Sequence, residues 1–432
     1  MMTKRNRQMT KRSLQTRSSW IRPVLAGLAA ASLFVARVEA AEIKLADGQR
    51  VAALIDAYDG KDSVSIYLTS GEKKVVSLRD ISSIFYSGRG EHFIRTGDQK
   101  FIFAAGGWIC GAVEDLKGGN VMELRSQSLG RHVVPLRVFH GFTALAMEGR
   151  PARLADDLMR DDGIKATVEN KFLDFVLDRR GVPYAGVVES FSPAKIEVEQ
   201  DEQLQQVRID TYRVAGVRLA EASKDKAGSV DNLETLRVGI NCRDRSYMVG
   251  QIVSINPFQW TIQPSFDAKR QVEVPTSEMV KVDVLGGRSV FLGDLRPEKV
   301  EERTLVAPPQ PFQRNSNSQG ESMDIGGFIY HNGIGVHGMS KLTYNIDGKF
   351  KTFYADVGID GRLEKEGSVV FTVLGDGREL FKSPLVRGKA AGGGVQLQVP
   401  VEGIKQLTLY VDPTDDLDQA DVANWGAARV LR

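Results

Sequence analysis

The side chains that most often carry out chemistry are few in this sequence and lie far apart. The 432 residues include two cysteines, Cys110 and Cys242, and five histidines. Neither cysteine has a partner at a metal-ligand spacing, and the histidines form no close pair of the kind that holds zinc. The cysteines either form a disulfide, which requires a close approach of their α-carbons, or fill two small buried apolar positions. The histidines are His92, His132, His140, His331 and His337.

No group of residues has the spacing of a known catalytic motif. Neither a Ser/His/Asp set nor a Cys/His set stands at such a spacing. Acidic residues in the first two thirds of the chain are scattered at the ends of predicted strands. We therefore predict that the chain is not an enzyme.

The first forty residues are typical of a secretory signal peptide. Residues 1–22 carry seven basic side chains and no acidic one, and an apolar run follows at residues 24–36. Small residues then alternate before Ala41, as they do before a cleavage site. The apolar run is shorter than the roughly 20 residues that span a bilayer, which favours a cleaved signal peptide. An uncleaved membrane anchor is the alternative. We expect a periplasmic or secreted protein without a transmembrane span in its mature chain.

The basic character of the sequence belongs to this leader. Residues 1–40 hold eight basic side chains and one acidic one, whereas the whole chain has a net charge of +2, so the remainder carries −5. A mildly acidic protein has no general electrostatic attraction to phosphate backbones. Nucleic acid is therefore not predicted as a partner.

Short runs of alternating apolar and polar residues fill the first two thirds of the chain, for example residues 64–68 and 282–285. Alternation with a period of two, bounded by Gly, Asp and Asn, is typical of half-buried strands. Residues 154–159 are the exception and predict a linker or small helix. Trp108 and Trp260 lie inside strand-like runs and are predicted to pack in the core.

One pattern occurs four times in this region. A turn residue is followed five positions later by Gly or Ala, and two positions after that by a β-branched residue. The first residue is predicted to form a positive-φ turn, and the second to let a strongly bent strand pack closely. The four instances are Gly48-Ala53-Ile55, Gly106-Gly111-Val113, Gly181-Gly186-Val188 and Arg245-Gly250-Ile252.

A bent meander of five strands can close into a small barrel, which removes exposed strand edges. The four units resemble the SH3-like or Sm-like barrels of exported bacterial proteins, and generic hairpins with similar turns are the alternative. We predict two small barrel-like units in residues 41–150 and a linker or short helix in 151–170. Two further units are predicted in 171–288.

The last part of the chain, residues 289–432, contains about eight alternating strands, which predicts a two-sheet sandwich. Its ordered motifs resemble the NPCBM (NEW2) domain, a carbohydrate-binding module associated with glycoside hydrolase family 98 and akin to family 51 modules. The resemblance implies a galactose-binding-like jelly roll. The motifs are Gly333-Ile334-Gly335-Val336-His337, Phe353 with Ala355 and Val357-Gly358-Ile359-Asp360, Val369-x-Phe371-x-Val373-x-x-Asp376-Gly377, and Asp421-x-Ala423-Asn424-Trp425-x-x-Ala428-Arg429.

The resemblance also implies a sugar site. Sugars are held by an aromatic platform under the ring and by a few polar groups on the hydroxyls. We predict His337, Asp360, Asn424 and Trp425 as binding residues, with Tyr330 and His331 on the adjacent loop. The alternatives are a core role for Trp425, a structural role for His337 and a turn-capping role for Asp360.

The chain departs from the family motif at one position of this site. Family members often carry a histidine after the aspartate of the last motif, where this chain has Val422, so the copy binds a different glycan or none.

No organic cofactor is predicted. Jelly rolls of this kind often bind a structural calcium ion, which an acidic run can supply. That run is Asp412, Asp415, Asp416, Asp418 and Asp421, and a solvated loop is the alternative.

Three functions follow from the sequence. The favoured one is an exported, non-catalytic protein that docks glycan or polysaccharide through its C-terminal module. The second is an envelope scaffold with a protein partner and a module that no longer binds sugar. The third is a secreted glycoside hydrolase, which would need two carboxylates about 5–10 Å apart in a sugar-sized cleft.

Overall fold

The computed structural model describes residues 40–86, 91–95, 97–117, 121–145, 147, 154–155, 158–159, 173–192, 194–200, 205–220, 235–286, 288–304, 311–361, 367–388, 394–414 and 421–432. The predicted leader, apart from Ala40, lies outside these residues. No helix among them is long and apolar enough to cross a membrane.

Twenty strands form four successive units of five, here called barrels 1 to 4. In chain order they are β1 (Ala41–Leu45), β2 (Arg50–Tyr58), β3 (Ser63–Leu68), β4 (Lys73–Ser77) and β5 (Ile81–Tyr86); β6 (Gln99–Phe103), β7 (Trp108–Lys117), β8 (Val121–Ser126), β9 (Gly130–Pro135) and β10 (Phe139–Ala144); β11 (Asp174–Asp178), β12 (Pro183–Phe191), β13 (Lys195–Gln200), β14 (Gln205–Asp210) and β15 (Val214–Arg218); β16 (Arg237–Cys242), β17 (Tyr247–Asn256), β18 (Gln259–Pro264), β19 (Val272–Pro275) and β20 (Met279–Leu285).

All four barrels share one antiparallel topology. In barrel 1, β1 pairs with β2 and β5, β2 with β3, and β3 with β4. The same pairings recur in the other three. A short 3-10 helix precedes each last strand. This is the predicted SH3-like architecture. The 3-10 helices are Leu78–Asp80, Leu136–Val138, Thr211–Arg213 and Thr276–Glu278.

The fourfold sequence pattern has the predicted conformation. Its first residue has positive φ in every barrel, including the one instance without glycine: Gly48 (90°), Gly106 (90°), Gly181 (87°) and Arg245 (69°). Its last residue, Ile55, Val113, Val188 or Ile252, stands directly before a β-bulge in the second strand. A bulge bends a strand, and the bend lets one strand pair with both neighbours of a small barrel.

The middle residue of the pattern lies where two strands nearly touch. A Cβ at Gly250 would lie 2.4 Å from the carbonyl oxygen of Gln263 on β18, and Gly111 and Gly186 have similar neighbours. We expect Gly250→Ala to lower the free energy of unfolding by about 1–3 kcal/mol, because the backbone must shift. Urea unfolding measures this. Gln251→Ala, at an exposed position of the same strand, is the matched control and should leave the midpoint nearly unchanged. An unchanged midpoint for Gly250→Ala would contradict the close approach.

The barrels are joined edge to edge. Strand β5 of barrel 1 pairs with β20 of barrel 4, and β10 of barrel 2 pairs with β15 of barrel 3. A single bridge between Trp108 and Tyr247 links barrels 2 and 4. Each pairing satisfies backbone groups that a free edge would expose. The four barrels also contribute to one hydrophobic core, in which Trp260 is fully buried as predicted.

A two-sheet sandwich, here called the module, follows barrel 4. One sheet has the order β23-β26-β34-β28-β32, with β21 beside β34, and the other has the order β22-β27-β33-β29-β30, with β31 beside β29. The strands are β21 (Ser289–Phe291), β22 (Lys299–Glu302), β23 (Gln313–Arg314), β24 (Met323–Ile325), β25 (Phe328–Tyr330), β26 (Gly333–Val336), β27 (Ser340–Asn345), β28 (Thr352–Ile359), β29 (Ser368–Gly375), β30 (Arg378–Lys382), β31 (Val386–Arg387), β32 (Gly394–Pro400), β33 (Gln406–Pro413) and β34 (Ala423–Leu431), with a 3-10 helix at Leu292–Asp294.

The barrels and the module belong to one compact unit, and buried polar contacts join them. The ammonium of Lys44 in barrel 1 lies 3.0 Å from the carboxylate of Asp356 in the module, and both side chains are buried or nearly so. The amide of Asn332 donates to Asp283 and to the hydroxyl of Tyr247, both in barrel 4. The few helical positions described, Leu154, Ala155 and Leu158, fall within the segment predicted as a linker or small helix.

Candidate functional site

Strand register brings three of the predicted residues to one end of the module. Strand β34 lies between β26 and β28, so that Ala423 pairs with both Val336 and Ile359. His337 and Asp360 are the next residues of the two flanking strands. Their backbones therefore lie about 10 Å apart, which is two strand spacings, and Asn424 on β34 lies between their strands.

Asp360 is the centre of this group. Its Oδ2 accepts from Nδ2 of Asn424 at 2.8 Å, from Nδ2 of Asn317 at 3.1 Å and from the backbone N–H of Asp324 at 3.3 Å. Its own N–H donates to the carbonyl of Val422 at 2.9 Å. Three donors on one oxygen make Asp360 a structural acceptor as well as a candidate binding residue.

Asp421 and Asn317 complete the group, and we call His337, Asp360, Asn424, Asp421 and Asn317 the polar end cluster. Asp421 accepts from the N–H of Ser368, and its carbonyl accepts from the N–H of Gly338 beside His337. Asn317 also accepts from the backbone of the loop that follows it. Sequence reasoning missed Asn317 as a site residue, because its signal was only an asparagine within a polar loop.

The polar end cluster is enclosed. Its five side chains are between 0 and 3% exposed. The Oδ1 of Asn424 is buried and has no hydrogen-bond partner among the described residues. The cluster ties the start of β34 to the loop around Asn317 and to the turn after β28. In this conformation it holds the loops at this end in place, and Val422, the departure from the family motif, is buried among them.

Trp425 is a core residue. Its indole is 1% exposed and packs against the rings of Phe353 and Phe371, with centroid separations of 6.3 and 5.0 Å. A sugar platform needs an open ring face. In this conformation the indole has no open face, as the core alternative expects, and a sugar-binding role for Trp425 stays a prediction.

The side chain of Tyr330 contacts the junction of barrels and module. Its hydroxyl donates to Asp356 at 3.2 Å, and the ammonium of Lys281 in barrel 4 lies 5.2 Å from its ring centre. Burial, together with the Asp356 carboxylate, raises the pKa of Tyr330. His331 faces the same junction, where its ring contacts those of Trp108 and Tyr247. The side chains of Tyr330 and His331 are thus held at the junction, and their sugar-binding role stays a prediction.

The described residues of the acidic run do not form a calcium site. Asp415, Asp416 and Asp418 lie outside the described residues, and Asp412 accepts from the hydroxyl of Tyr410 at 3.1 Å. Among the residues that are described, no group of three His, Cys, Asp or Glu side chains could hold a metal ion. A structural calcium ion stays a prediction from the sequence.

A sequence match identifies the family of the module. Residues 288–431 match the family model of the NPCBM/NEW2 domain, which confirms the recognition made from the motifs. The match covers about a third of the chain.

Known proteins resemble parts of the chain. A Renibacterium salmoninarum protein named for an endo-alpha-N-acetylgalactosaminidase activity is 27% identical over 194 residues, which cover 40% of this chain but only 13% of that relative. The CBM51 module of a Clostridium perfringens GH95 protein, solved with methyl-galactose, is 25% identical with a TM-score of 0.30, over 33% of this chain and 99% of the module. Tandem CBM51 modules of a Streptococcus pneumoniae family 98 glycoside hydrolase are 13% identical with a TM-score of 0.29, over 60% of this chain and 87% of theirs.

Proposed function

We propose that this chain is an exported, non-catalytic carbohydrate-binding protein whose module docks a glycan at the end marked by the polar end cluster. The observation that carries the proposal is the convergence of His337, Asp360 and Asn424 at one end of a sandwich that matches the NPCBM/NEW2 domain. The four barrels serve as the platform that presents the module.

The polar end cluster acts in this proposal as a set of positioning residues. Because Asp360 and Asn424 are buried, their hydrogen bonds hold the loop around Asn317 and the turn after β28 in fixed positions. Pre-organised loops bind with less loss of conformational entropy than mobile ones. The glycan would contact the rim of these loops.

A glycan array with the full-length protein tests the proposal. We use the whole protein because the module shares buried contacts with the barrels. We expect a defined glycan to bind, and Asp360→Asn to weaken its affinity at least about tenfold, which is about 1.4 kcal/mol. The substitution keeps the size of the side chain while weakening the acceptor. Arrays run with calcium and with a chelator show whether the ion contributes.

The control lies at the opposite end of the sandwich. Asp376 follows the far end of β29 and, like Asp360, accepts backbone N–H groups, those of Lys405 and Gln406. Asp376→Asn should leave glycan affinity unchanged. Equal affinity for the wild type and a folded Asp360→Asn variant would move the site elsewhere, and the absence of any bound glycan would overturn the proposal.

An envelope scaffold is the second candidate, and the burial of the predicted sugar-binding residues favours it. Asp360, Asn424 and Trp425 present almost no surface to a ligand, and the barrels and module form one compact unit. A silent array from a well-folded protein is the expected result for that function. Capture of a defined envelope protein by the same sample would then support it.

A further inference from the structure

A cleft of about 510 Å³ lies where barrel 2, barrel 4 and the module meet. This volume is within the range of about 300–1,000 Å³ that small-molecule sites have. None of the sequence motifs pointed to it, because its walls come from distant parts of the chain. Residues of barrel 2, barrel 4 and the module line it, including Lys100, Trp108, Asn241, Arg245, Lys281 and His331.

Trp108 forms an aromatic wall of this junction cleft. Its ring is half-buried, which corrects the prediction of a core position, and Nε1 donates to the carbonyl of Arg245 at 2.8 Å. The preceding Gly107 has φ of 81°, and a Cβ there would lie 2.6 Å from the carbonyl oxygen of Tyr247. Only glycine therefore lets this strand approach barrel 4 closely enough to hold the indole in place.

Positive charge predominates along the cleft, which three cationic side chains and one carboxylate line. Arg245 pairs with that carboxylate, Glu91, at 2.9 Å, and Lys281 pairs with the buried Asp283 at 2.8 Å. The ammonium of Lys100 instead lies 4.3 Å from the centre of the Trp108 ring, and no carboxylate within the described ranges is in ion-pair contact with it. Lys100 is thus placed to meet an anionic group.

Asn241 supplies a second, independent sign of a ligand. Its side chain is 5% exposed and lines the cleft, and Nδ2 reaches Asp283 only at 3.5 Å. Its Oδ1 is buried and has no hydrogen-bond partner within the described part of the chain. A buried acceptor without a partner is unfavourable, so a donor belongs beside it.

We propose that the junction cleft binds a short acidic saccharide. The carboxylate of the sugar would pair with Lys100, an apolar ring face would lie against Trp108, and a hydroxyl would donate to Oδ1 of Asn241. An inorganic anion would make no contact with the indole of Trp108 or the amide of Asn241. A neutral sugar would offer no negative charge to Lys100. This site is separate from the polar end cluster, so the proposal does not depend on sugar binding there.

Titration of the full-length protein with three acidic probes tests this site: trigalacturonate, a hyaluronan tetrasaccharide and sialyllactose, followed by calorimetry and tryptophan fluorescence. We expect at least one to bind. Lys100→Gln should weaken that binding at least tenfold and reduce its salt dependence. A neutral counterpart of the ligand, such as methyl-esterified trigalacturonate in place of trigalacturonate, should bind weakly to both the wild type and Lys100→Gln. Trp108→Leu and Asn241→Leu should also weaken the binding of the acidic saccharide.

Two control variants show whether an effect is specific to the junction cleft. Lys74→Gln, at an exposed lysine of barrel 1, should leave affinity unchanged, and so should Asp376→Asn at the opposite end of the module from the polar end cluster. The proposal is overturned if none of the three probes binds, if Lys100→Gln binds as tightly as the wild type, or if inorganic sulfate binds as tightly as the saccharide. Loss of binding in Asp360→Asn alone would assign the ligand to the polar end cluster instead.

Discussion

Replacing Trp425 by alanine is expected to lower the free energy of unfolding by about 3–5 kcal/mol, as large aromatic truncations in a packed core do. The indole is 1% exposed and fills the space between Phe353 and Phe371. Its removal leaves a cavity that the two sheets of the module cannot close. Guanidinium unfolding followed by circular dichroism measures the change as a shift of the midpoint.

Trp108→Ala is the matched comparison, because the same side chain is only half-buried there. It should cost well under half as much stability. The pair of variants also distinguishes a damaged fold from a lost sugar contact. Loss of glycan binding by Trp425→Ala would reflect a damaged fold if its stability falls as expected. A Trp425→Ala protein of nearly wild-type stability that no longer binds glycan would restore the sugar-platform interpretation.

Asp356→Ala is expected to be comparably severe, with a loss of about 3–5 kcal/mol, because it leaves a buried ammonium without its counter-ion. Lys44 is 4% exposed, and burial already lowers its pKa despite the nearby carboxylate. The guanidinium of Arg429 is buried in the same region, and the hydroxyl of Tyr330 would lose its acceptor. Chemical denaturation measures the loss, and a second unfolding transition would show that barrels and module had become uncoupled.

A surface pair of the same chemistry provides the control. Lys73 and Asp56 in barrel 1 are also 3.0 Å apart, but their side chains are 49 and 29% exposed. Asp56→Ala should cost no more than about 1 kcal/mol, since exposed ion pairs contribute little. The double variant Lys44→Met, Asp356→Leu should recover the part of the loss that the unpaired Lys44 ammonium causes, while Arg429 and the hydroxyl of Tyr330 still lack Asp356. Similar losses for Asp56→Ala and Asp356→Ala would contradict the view that the Lys44–Asp356 pair joins barrel 1 to the module.

Much of the fold could be predicted from the sequence, because its signals are local. A positive-φ turn, a bent strand and a close approach of two strands are each decided by sterics within a few residues. The pattern at Gly106, Gly111 and Val113 therefore predicted a turn and a bent, closely packed strand, and the structure contains both, with the bend formed by a β-bulge. The degenerate copy at Arg245 also adopts the turn, because barrel closure holds its backbone there.

The candidate site was only partly predictable. The family motifs singled out His337, Asp360 and Asn424, and antiparallel register does bring their strands together at one end of the module. The role of Trp425 could not be inferred, because β34 is buried on both faces. Its inner face packs in the module core, and at Ala427 its outer face meets Tyr247 of barrel 4. A strand covered on both sides shows no alternation that separates core from surface.

By itself, the sequence determined the all-β architecture, the four repeated barrels and the NPCBM-type module, since strand periodicity and turn chemistry act over short distances. Tertiary structure alone decided which polar groups are enclosed and where a cleft opens. Lys100, Asn241 and His331 have no sequence relation to one another and meet only because the barrels pair along their edges and the module packs against them. Such contacts depend on the closure of long loops between preformed units, and no local pattern in the chain records them.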